Sequence, residues 1–518
     1  MKIAISQKRL YMNNIDKNYK MIEASVLEAK DRADLLVFSE LALTNHIFGQ
    51  RLIDSKTLID YHDKVIELSH KIPIVWGHYD DDLKSSIYYA KDGKVVEYGD
   101  EYHPFRIELQ DMVLVVSMNK VKTHNFNLVI GLNEVAFDKE EPIYENTLIL
   151  GAQGIYNNGH EVYVLDDSGY VSHGDKLYAL ESDFEIIDLE HLNSKPLKEK
   201  CKLDVLLEGI KYFDDEYLAY GPKWIVGVSG GLDSSVTLAL LVMALGKERV
   251  HGVTMPSEFT RELTLKNAHH LFEVLNISHE EIDIMDMVNA TVDSLEYERI
   301  EGLAYENIQA RLRGHTLMSV SSLINGVISN NGNKIETALG YATLYGDAIG
   351  ALSLLGDVNK LEVGMLAEAI NQRFSKEVIP KNLIPKLDEH DVIWDFAPSA
   401  ELAKDQFDPM KWGYHDLLVE YLMQNSIESY LEKYLDGTLF EMEVGKYLSV
   451  YRLSNDEFIS DLEWVYRQLS IATYKRIQIP PVLKLYSYGF SPEAQVPIVY
   501  SERYMELKSK VLKKERFD

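Results

Sequence analysis

Between Trp224 and Val236 a short apolar run, Trp224-Ile225-Val226-Gly227-Val228, gives way to Ser229-Gly230-Gly231-Leu232-Asp233-Ser234-Ser235 and then to an apolar helical pattern. Strand, tight loop and helix start in that order make an anion cradle. Adjacent glycines admit backbone angles that other residues resist, and the amides that follow point at whatever sits before the helix N-terminus. The loop lacks the lysine of the GxxxxGK[ST] phosphate loop, and two serines flank an aspartate instead. An ordinary strand-to-helix turn draws on the same residue types, so context has to decide between the two.

The elements around the loop supply that context. An amphipathic helix, Leu203–Leu218, leads into the loop's strand. After the loop come a helix, a second strand over Val250–Met255, a helix start at Ser257-Glu258-Phe259-Thr260 and a third strand over Glu281–Ile284. Strands alternating with helices predict a parallel sheet whose ligands bind at the carboxyl ends of its strands. Upstream, strand-like runs recur at Lys2–Ser6, Leu35–Phe38, Ile72–Trp76, Ser85–Ala90, Met112–Met118, Phe126–Leu132, Asn146–Leu150 and Glu161–Leu165, with a helical pattern over Asp16–Lys30. Short, closely spaced strands of this kind predict a sheet-on-sheet core with helical cover. At 518 residues the chain exceeds one ordinary core, which predicts two large domains, or two plus a helical extension.

Hydrophobic residues make up 46% of the chain and charged ones 26%, with no run of some twenty apolar residues to span a bilayer. The opening Met-Lys-Ile-Ala-Ile-Ser-Gln reads as a strand rather than a signal peptide, which makes the cytoplasm the simplest address and a membrane an unexpected partner. A formal net charge of −29 argues against a nucleic-acid partner, because a binder needs a basic face to displace counterions. The single cysteine, Cys201, excludes an intrachain disulfide and fits a reducing compartment. It is expected to be a small, partly buried helix residue. The adjacent His269-His270 pair points about 100° apart on a helix and reads as surface, as does the lysine-rich tail Leu507–Arg516.

The Ser229–Ser235 loop resembles the pyrophosphate-binding signature of the N-type ATP pyrophosphatases, where Asp233 would help place Mg²⁺. Further blocks narrow the resemblance. Glu306-Asn307-Ile308-Gln309-Ala310-Arg311-Leu312-Arg313-Gly314 opens a long helix, and Asn331-Gly332-Asn333-Lys334-Ile335-Glu336 with Gly340-Tyr341-Ala342-Thr343-Leu344-Tyr345-Gly346-Asp347 follows a strand end. Gly356-Asp357-Val358-Asn359-Lys360, Pro398-Ser399-Ala400-Glu401-Leu402, Asp405-Gln406-Phe407-Asp408 and Tyr474-Lys475-Arg476 complete the set. Together they resemble NAD⁺ synthetases of the long form, which carry a nitrilase-type glutaminase in front. The resemblance implies an α/β chain: a nitrilase-like αββα sandwich over residues 1–195, then a Rossmann-like parallel-sheet ATP pyrophosphatase domain (adenine nucleotide alpha hydrolase-like) over 196–518. It also implies ATP contacts from Ser229, Gly230, Gly231, Leu232, Asp233, Ser234, Ser235, Asn331, Lys360 and Ser399. Asn307, Arg311 and Lys475 would hold deamido-NAD, and Asp233 with Glu336 would hold Mg²⁺; Asp233, Lys360 and Glu336 would form the catalytic group. The chemistry is coherent, because ATP and a dinucleotide acid bring about six negative charges that cations from separate elements must neutralise. Three positions depart from the usual pattern: Asn331 for threonine, Ile335 for serine and Asn359 for tyrosine.

In the front half, Phe38-Ser39-Glu40-Leu41-Ala42-Leu43-Thr44 resembles the glutamate-bearing strand end of nitrilase-superfamily glutaminases, which read P-E-L-A-L-T-G-Y. Gly154–Val171 resembles their closing hairpin. Such an amidase needs a thiol, a glutamate base and a lysine. Glu40 matches the base. The expected lysine position reads Gly99-Asp100-Glu101-Tyr102-His103-Pro104, acidic where a cation is required, and Ser117 stands at the cysteine's strand end. A serine hydroxyl is far less ionised than a thiol, so Glu40 and Ser117 read as a vestigial glutaminase site. The expectation is an ATP- and Mg²⁺-dependent ligase that adenylates deamido-NAD and amidates it with free ammonia, as a homodimer through the synthetase half. An active glutamine-dependent enzyme and a catalytically dead scaffold or regulatory subunit are the competing readings.

Overall fold

The structure is a computed structural model that describes residues 1–12, 14–45, 54–80, 84–119, 123, 125–131, 143–166, 169–197, 201–398, 401–403, 408–487, 491–492, 494, 496–497 and 499–514. Its front half is a sandwich of two six-stranded sheets. The first sheet is built on β1 (Lys2–Ser6), β2 (Leu35–Phe38), β3 (Ile74–Tyr79), β4 (Ser85–Lys91) and β5 (Lys94–Asp100). The second contains β6 (Phe105–Leu109), β7 (Met112–Ser117), β8 (Phe126–Val129) and β9 (Thr147–Ile149). After the hairpin β10 (Gln153–Asn157) and β11 (Glu161–Asp166), β12 (Tyr170–His173) and β13 (Lys176–Ala179) return to the second sheet, and β14 (Phe184–Asp188) pairs antiparallel with β1.

Alternation along the strands decides what lies between the sheets. Leu35 and Val37 of β2 join Leu114 and Val116 of β7 in the inter-sheet core, while Leu36 and Phe38 face the other way, onto α1 (Ile15–Ala29) and α2 (Ser55–Leu68). Both helices start on a side-chain cap, Asn14 and Asp54.

The back half follows the predicted alternation. The element α3 (Lys202–Tyr217) leads to β15 (Lys223–Gly227), then α4 (Leu232–Leu245), β16 (Val250–Thr254), α5 (Glu262–Leu275), β17 (Ser278–Glu281), α6 (Met285–Ser294), α7 (Leu303–Ile324), β18 (Gly326–Asn330), α8 (Lys334–Leu339), β19 (Leu352–Ser353) and α9 (Lys360–Phe374). The third strand lies three residues before the expected Glu281–Ile284. Its four residues are all exposed, so no apolar run marks it. A small hairpin, β20 (Lys386–Asp388) and β21 (Asp391–Ile393), precedes a helical layer of α10 (Tyr414–Gln424), α11 (Ile427–Asp436), α12 (Glu443–Val450), α13 (Asn455–Ile471) and α14 (Thr473–Arg476). The chain closes with β22 (Val482–Lys484) and α15 (Glu502–Lys513). The helical layer has its own core around Tyr414, Tyr430, Phe458 and Leu462. The tail read as a solvated face packs Leu507 and Val511 into that core, beside Tyr504 of the same helix.

One pairing departs from the expectation for Gly154–Val171. The hairpin β10–β11 leaves the sandwich and extends the back half's sheet, whose order is β10-β11-β22-β19-β18-β15-β16-β17. Glu161, Val162 and Tyr163 of β11 run parallel to Val482, Leu483 and Lys484 of β22. Hydrogen bonding across distant strands, invisible to local pattern, overrides the reading of this segment as the sandwich's closing hairpin. Arg9 strengthens the junction, donating to Asp215 at 2.8 Å and to the Tyr212 carbonyl at 3.0 Å on α3.

Candidate active site

The loop between β15 and α4 sits at the carboxyl end of a central strand of the eight-stranded sheet. Gly230 adopts a φ of +79°, in the region that favours glycine, and a Cβ there would lie 2.0 Å from the Thr264 carbonyl oxygen. Residue 230 must therefore be glycine for α5 to lie this close. Ser229 Oγ accepts from the Gly231 amide at 3.3 Å and stands 3.1 Å from Ser234 Oγ; Ser235 Oγ donates to the Gly231 carbonyl at 2.6 Å. Gly231 caps α4 without a side chain, so that helix presents bare amides toward the loop's mouth.

Two short capped starts face this loop. Asn333-Lys334-Ile335-Glu336 begins α8 and Asn359-Lys360-Leu361-Glu362 begins α9, and each is a capping box of asparagine and glutamate. The same four-residue pattern yields opposite choices. From α8 the glutamate turns to the site, while from α9 the lysine does. Lys360 Nζ donates to Asp233 Oδ2 at 2.5 Å and lies 3.9 Å from Glu336 Oε1. Glu336 also accepts the Asn333 amide through Oε2 at 3.3 Å, so it is a helix-start carboxylate and a site carboxylate at once. Ile335 is buried in the helical layer's core, which accounts for an apolar residue where a serine was expected.

Asp408 joins Asp233, Glu336 and Lys360 in one electrostatic cluster and hydrogen-bonds Tyr341. Burial raises the Glu336 carboxyl, Asp233 and Asp408 raise it further, and Lys360 opposes them. Burial and Asp233 also raise Asp408, against Lys360. For Lys360 burial works against the charge, yet Asp233, Glu336 and Asp408 hold its ammonium above the ordinary lysine value. From α10, Asp416 accepts the Lys360 backbone amide at 2.9 Å and that of Gly413 at 2.7 Å, which fixes the helix start.

Asp233 Oδ1 is buried and has no hydrogen-bond partner among the described residues. A cation beside that oxygen would satisfy it, so Asp233 and Glu336 fit the role of Mg²⁺ ligands. No group of three or more His, Cys, Asp or Glu side chains forms a metal cage among the described residues. Mg²⁺ held by one or two carboxylates and substrate phosphates needs none.

Asn331, at the end of β18, donates to the Gly227 carbonyl at 2.8 Å and accepts from Ser329 Oγ at 3.3 Å, which holds it beside the loop. Ser399, with Asp405, Gln406 and Phe407, lies outside the described residues. Glu401 is described: it accepts from Thr264 Oγ1 at 2.7 Å and pairs with Arg261 at 2.7 Å, which ties its segment to the α5 end that walls the loop.

The three residues expected to hold the dinucleotide converge on segment 340–347. Asn307 Oδ1 accepts from Thr343 Oγ1 at 2.8 Å, and exposed Arg311 donates to the Leu344 carbonyl at 3.3 Å. Lys475 Nζ donates to the Gly340 and Ala342 carbonyls, each at 2.8 Å. Asp408, Asp416 and Glu401 were not singled out from the sequence; Asp408 and Glu401 stand in matched blocks but have no spacing signature of their own.

In the front half, Glu40 follows β2 and Ser117 ends β7. The two ends meet, the Glu40 amide donating to the Ile130 carbonyl at 3.1 Å and the Ile130 amide to the Ser117 carbonyl at 3.2 Å. Glu40 is buried and accepts from Ser85 Oγ at 2.5 Å. Burial pushes its carboxyl up to about 6, Ser85 opposes this, and Glu101 raises it further. Glu40 makes no ion pair among the described residues. Ser117 Oγ is buried without a hydrogen-bond partner among them. Cys201 is exposed, and it stands at the N-cap of α3, outside the helix, rather than partly buried within it. His269 is exposed as expected, whereas His270 is half-buried, its ring nitrogen 3.1 Å from the Glu377 carbonyl oxygen.

The model of the NAD synthase family matches residues 213–452. An NH₃-dependent NAD⁺ synthetase of Pelodictyon phaeoclathratiforme is 33% identical over 40% of this chain and 69% of its own length. The chain belongs to the NAD⁺ synthetase family. A glutamine-dependent NAD⁺ synthetase of Thermotoga maritima is 34% identical over 47% of this chain but only 40% of that protein. One of Acinetobacter baylyi is 25% identical over 96% of this chain and 98% of its own. The crystal structure of a glutamine-dependent NAD⁺ synthetase from Cytophaga hutchinsonii shares the fold, with a TM-score of 0.73, 14% identity and 99% of each chain covered. The family's architecture of a nitrilase-like sandwich before a parallel-sheet synthetase domain is therefore that of this chain. No helix among the described residues is long and apolar enough to cross a membrane.

Proposed function

We propose that this chain is an ATP- and Mg²⁺-dependent ligase that converts deamido-NAD to NAD⁺, releasing AMP and pyrophosphate, with free ammonia as the nitrogen donor. The observation that carries the ligase reading is Lys360 held between Asp233 and Glu336 at the mouth of a glycine loop with bare helix amides. The loop amides and Lys360 bind the β- and γ-phosphates. Arg311, Asn307 and Lys475 orient the dinucleotide from the 340–347 side. An oxygen of the nicotinate carboxylate then attacks the α-phosphorus and the bond to pyrophosphate breaks. Ammonia attacks the acyl carbon of the adenylate, loses a proton, and AMP leaves with the bonding pair. Mg²⁺ on Asp233 and Glu336 supplies charge neutralisation to the phosphates when bound. Positioning accounts for much of the rate, on the order of 7–11 kcal/mol at best.

The donor assignment rests on the front half. Glu40 faces a hydroxyl and another carboxylate, Ser117 carries no thiol, and Cys201 lies at a helix start on the surface. The names of the relatives include both glutamine- and NH₃-dependent enzymes, so they support a synthetase without favouring either donor. We take residues 1–195, a sandwich apart from the β10–β11 hairpin, as a half without glutaminase activity and 196–518 as the ligase half, cytoplasmic, paired as a homodimer through the latter. Pyrophosphate release from ATP with deamido-NAD, with and without EDTA, tests the ligase reading. Magnesium-dependent release supports it; none from folded protein favours a dead scaffold.

A further inference from the structure

Behind the two capped helix starts lies a buried charge cluster that the reaction as described does not use. Asp357 is fully buried, in the turn just before α9. Its Oδ1 accepts from Lys484 Nζ at 3.0 Å and lies 3.4 Å from Lys334 Nζ; its Oδ2 accepts the Leu485 and Tyr486 amides at 2.9 and 3.2 Å. Lys334 also donates to Glu420 at 3.0 Å, and its backbone amide donates to the Val358 carbonyl at 3.0 Å. Asn359, the cap of α9, reaches the same Glu420 oxygen at 3.5 Å. Lys484 is the register partner of Tyr163 on the hairpin that crosses from the front half.

The geometry thus links three elements at one carboxylate, the start of α8, the end of β22 and the turn before α9. Lys334 is the first residue of α8, two before Glu336, and Asp357 is three residues before Lys360. We propose that Asp357 is a positioning residue for the ligase site: by clamping Lys334 and the end of β22, it sets the starts of α8 and α9 so that Glu336 and Lys360 meet Asp233. The proposal rests on the ligase reading above. A buried carboxylate with two lysines and two amides is a closed network that resists displacement, and losing one member leaves an uncompensated charge. A shift of about 1 Å at either helix start moves a reacting group enough to cost up to about a hundredfold in rate.

The test uses the full chain with Asp357→Asn, Lys334→Met and Lys334→Arg, under saturating ammonium and Mg²⁺. Asp357→Asn and Lys334→Met are expected to lower kcat about tenfold or more, with KM for ATP and deamido-NAD within about threefold of wild type. Lys334→Arg, which keeps the charge, is expected to recover most of kcat. Unchanged kcat in folded Asp357→Asn and Lys334→Met overturns the proposal, as do losses that fall on KM instead. Failure of both variants to fold also overturns it, by making the cluster a stability element. No NAD⁺ from wild type refutes the ligase reading itself, whereas an active wild type with unimpaired variants refutes only the positioning role.

Discussion

Replacing Gly230 by alanine is the sharpest perturbation of the phosphate cradle. At a φ of +79° an L residue is strained by roughly 1–2 kcal/mol, and the new methyl would lie 2.0 Å from the Thr264 carbonyl oxygen and 3.0 Å from Thr264 Cγ2. A carbon beside a carbonyl oxygen ordinarily keeps about 3.3 Å, so the loop or the first turn of α5 must move by about 1 Å. Thr264 is itself tied to Glu401 at 2.7 Å, which makes the loop the softer of the two. Loop amides displaced by that much no longer match the phosphates, and kcat/KM should fall by about a hundredfold. Steady-state NAD⁺ formation from ATP, deamido-NAD and ammonium, with thermal unfolding followed in parallel, gives the answer. A Gly230→Ala protein that is folded and retains kcat/KM within about threefold would refute the assignment of this loop to the phosphates.

Three further outcomes follow from the same reasoning. Glu40→Gln should stabilise the protein at pH 8 by about 2 kcal/mol and leave ammonium-dependent synthesis unchanged, since a carboxyl raised to about 6 is charged at a cost once the pH exceeds that value. Below the ordinary value of 4.5 the group is neutral folded or unfolded, so the difference should vanish there; denaturation curves at pH 4 and 8 check both arms. His78, buried and stacked near His62, is held down to about 3 by burial and then by His62, so its contribution is intact above pH 6.5 and is lost as the pH falls toward 3. At pH 5 that loss is about 2 kcal/mol, and His78→Gln should flatten the stability profile between pH 6.5 and 4.5 in urea titrations. Arg311→Ala should raise KM for deamido-NAD about 10- to 100-fold, the worth of one charged hydrogen bond, with KM for ATP and the melting temperature nearly unchanged because the side chain is exposed.

The loop, the α7 block and the two asparagine-capped starts were legible because each is local. Glycine pairs, capping boxes and cation spacing act within a few residues, and the sequence carries them whole. What escaped is long-range. The hairpin at 153–166 alternates like any sandwich strand pair, and nothing in it says that its partner is β22, some three hundred residues later. Asp357, Asp408 and Asp416 take their partners from other elements; the first two stand in matched blocks, yet nothing local assigns them those partners. Ile335 looked like a defect in a polar motif until the helical layer beneath α8 supplied its reason. The third strand was misplaced because Ser278–Glu281 is exposed throughout and carries no apolar signal.

The proposed reaction is amidation of deamido-NAD with ammonia taken from solution. It is tested most directly by giving the purified chain ATP, Mg²⁺ and deamido-NAD with equal concentrations of unlabelled ammonium and amide-¹⁵N glutamine, and reading the mass of the product. The expected product is NAD⁺ whose amide nitrogen is unlabelled, formed at the same rate when glutamine is omitted. NAD⁺ carrying ¹⁵N, or turnover that requires glutamine, would contradict it.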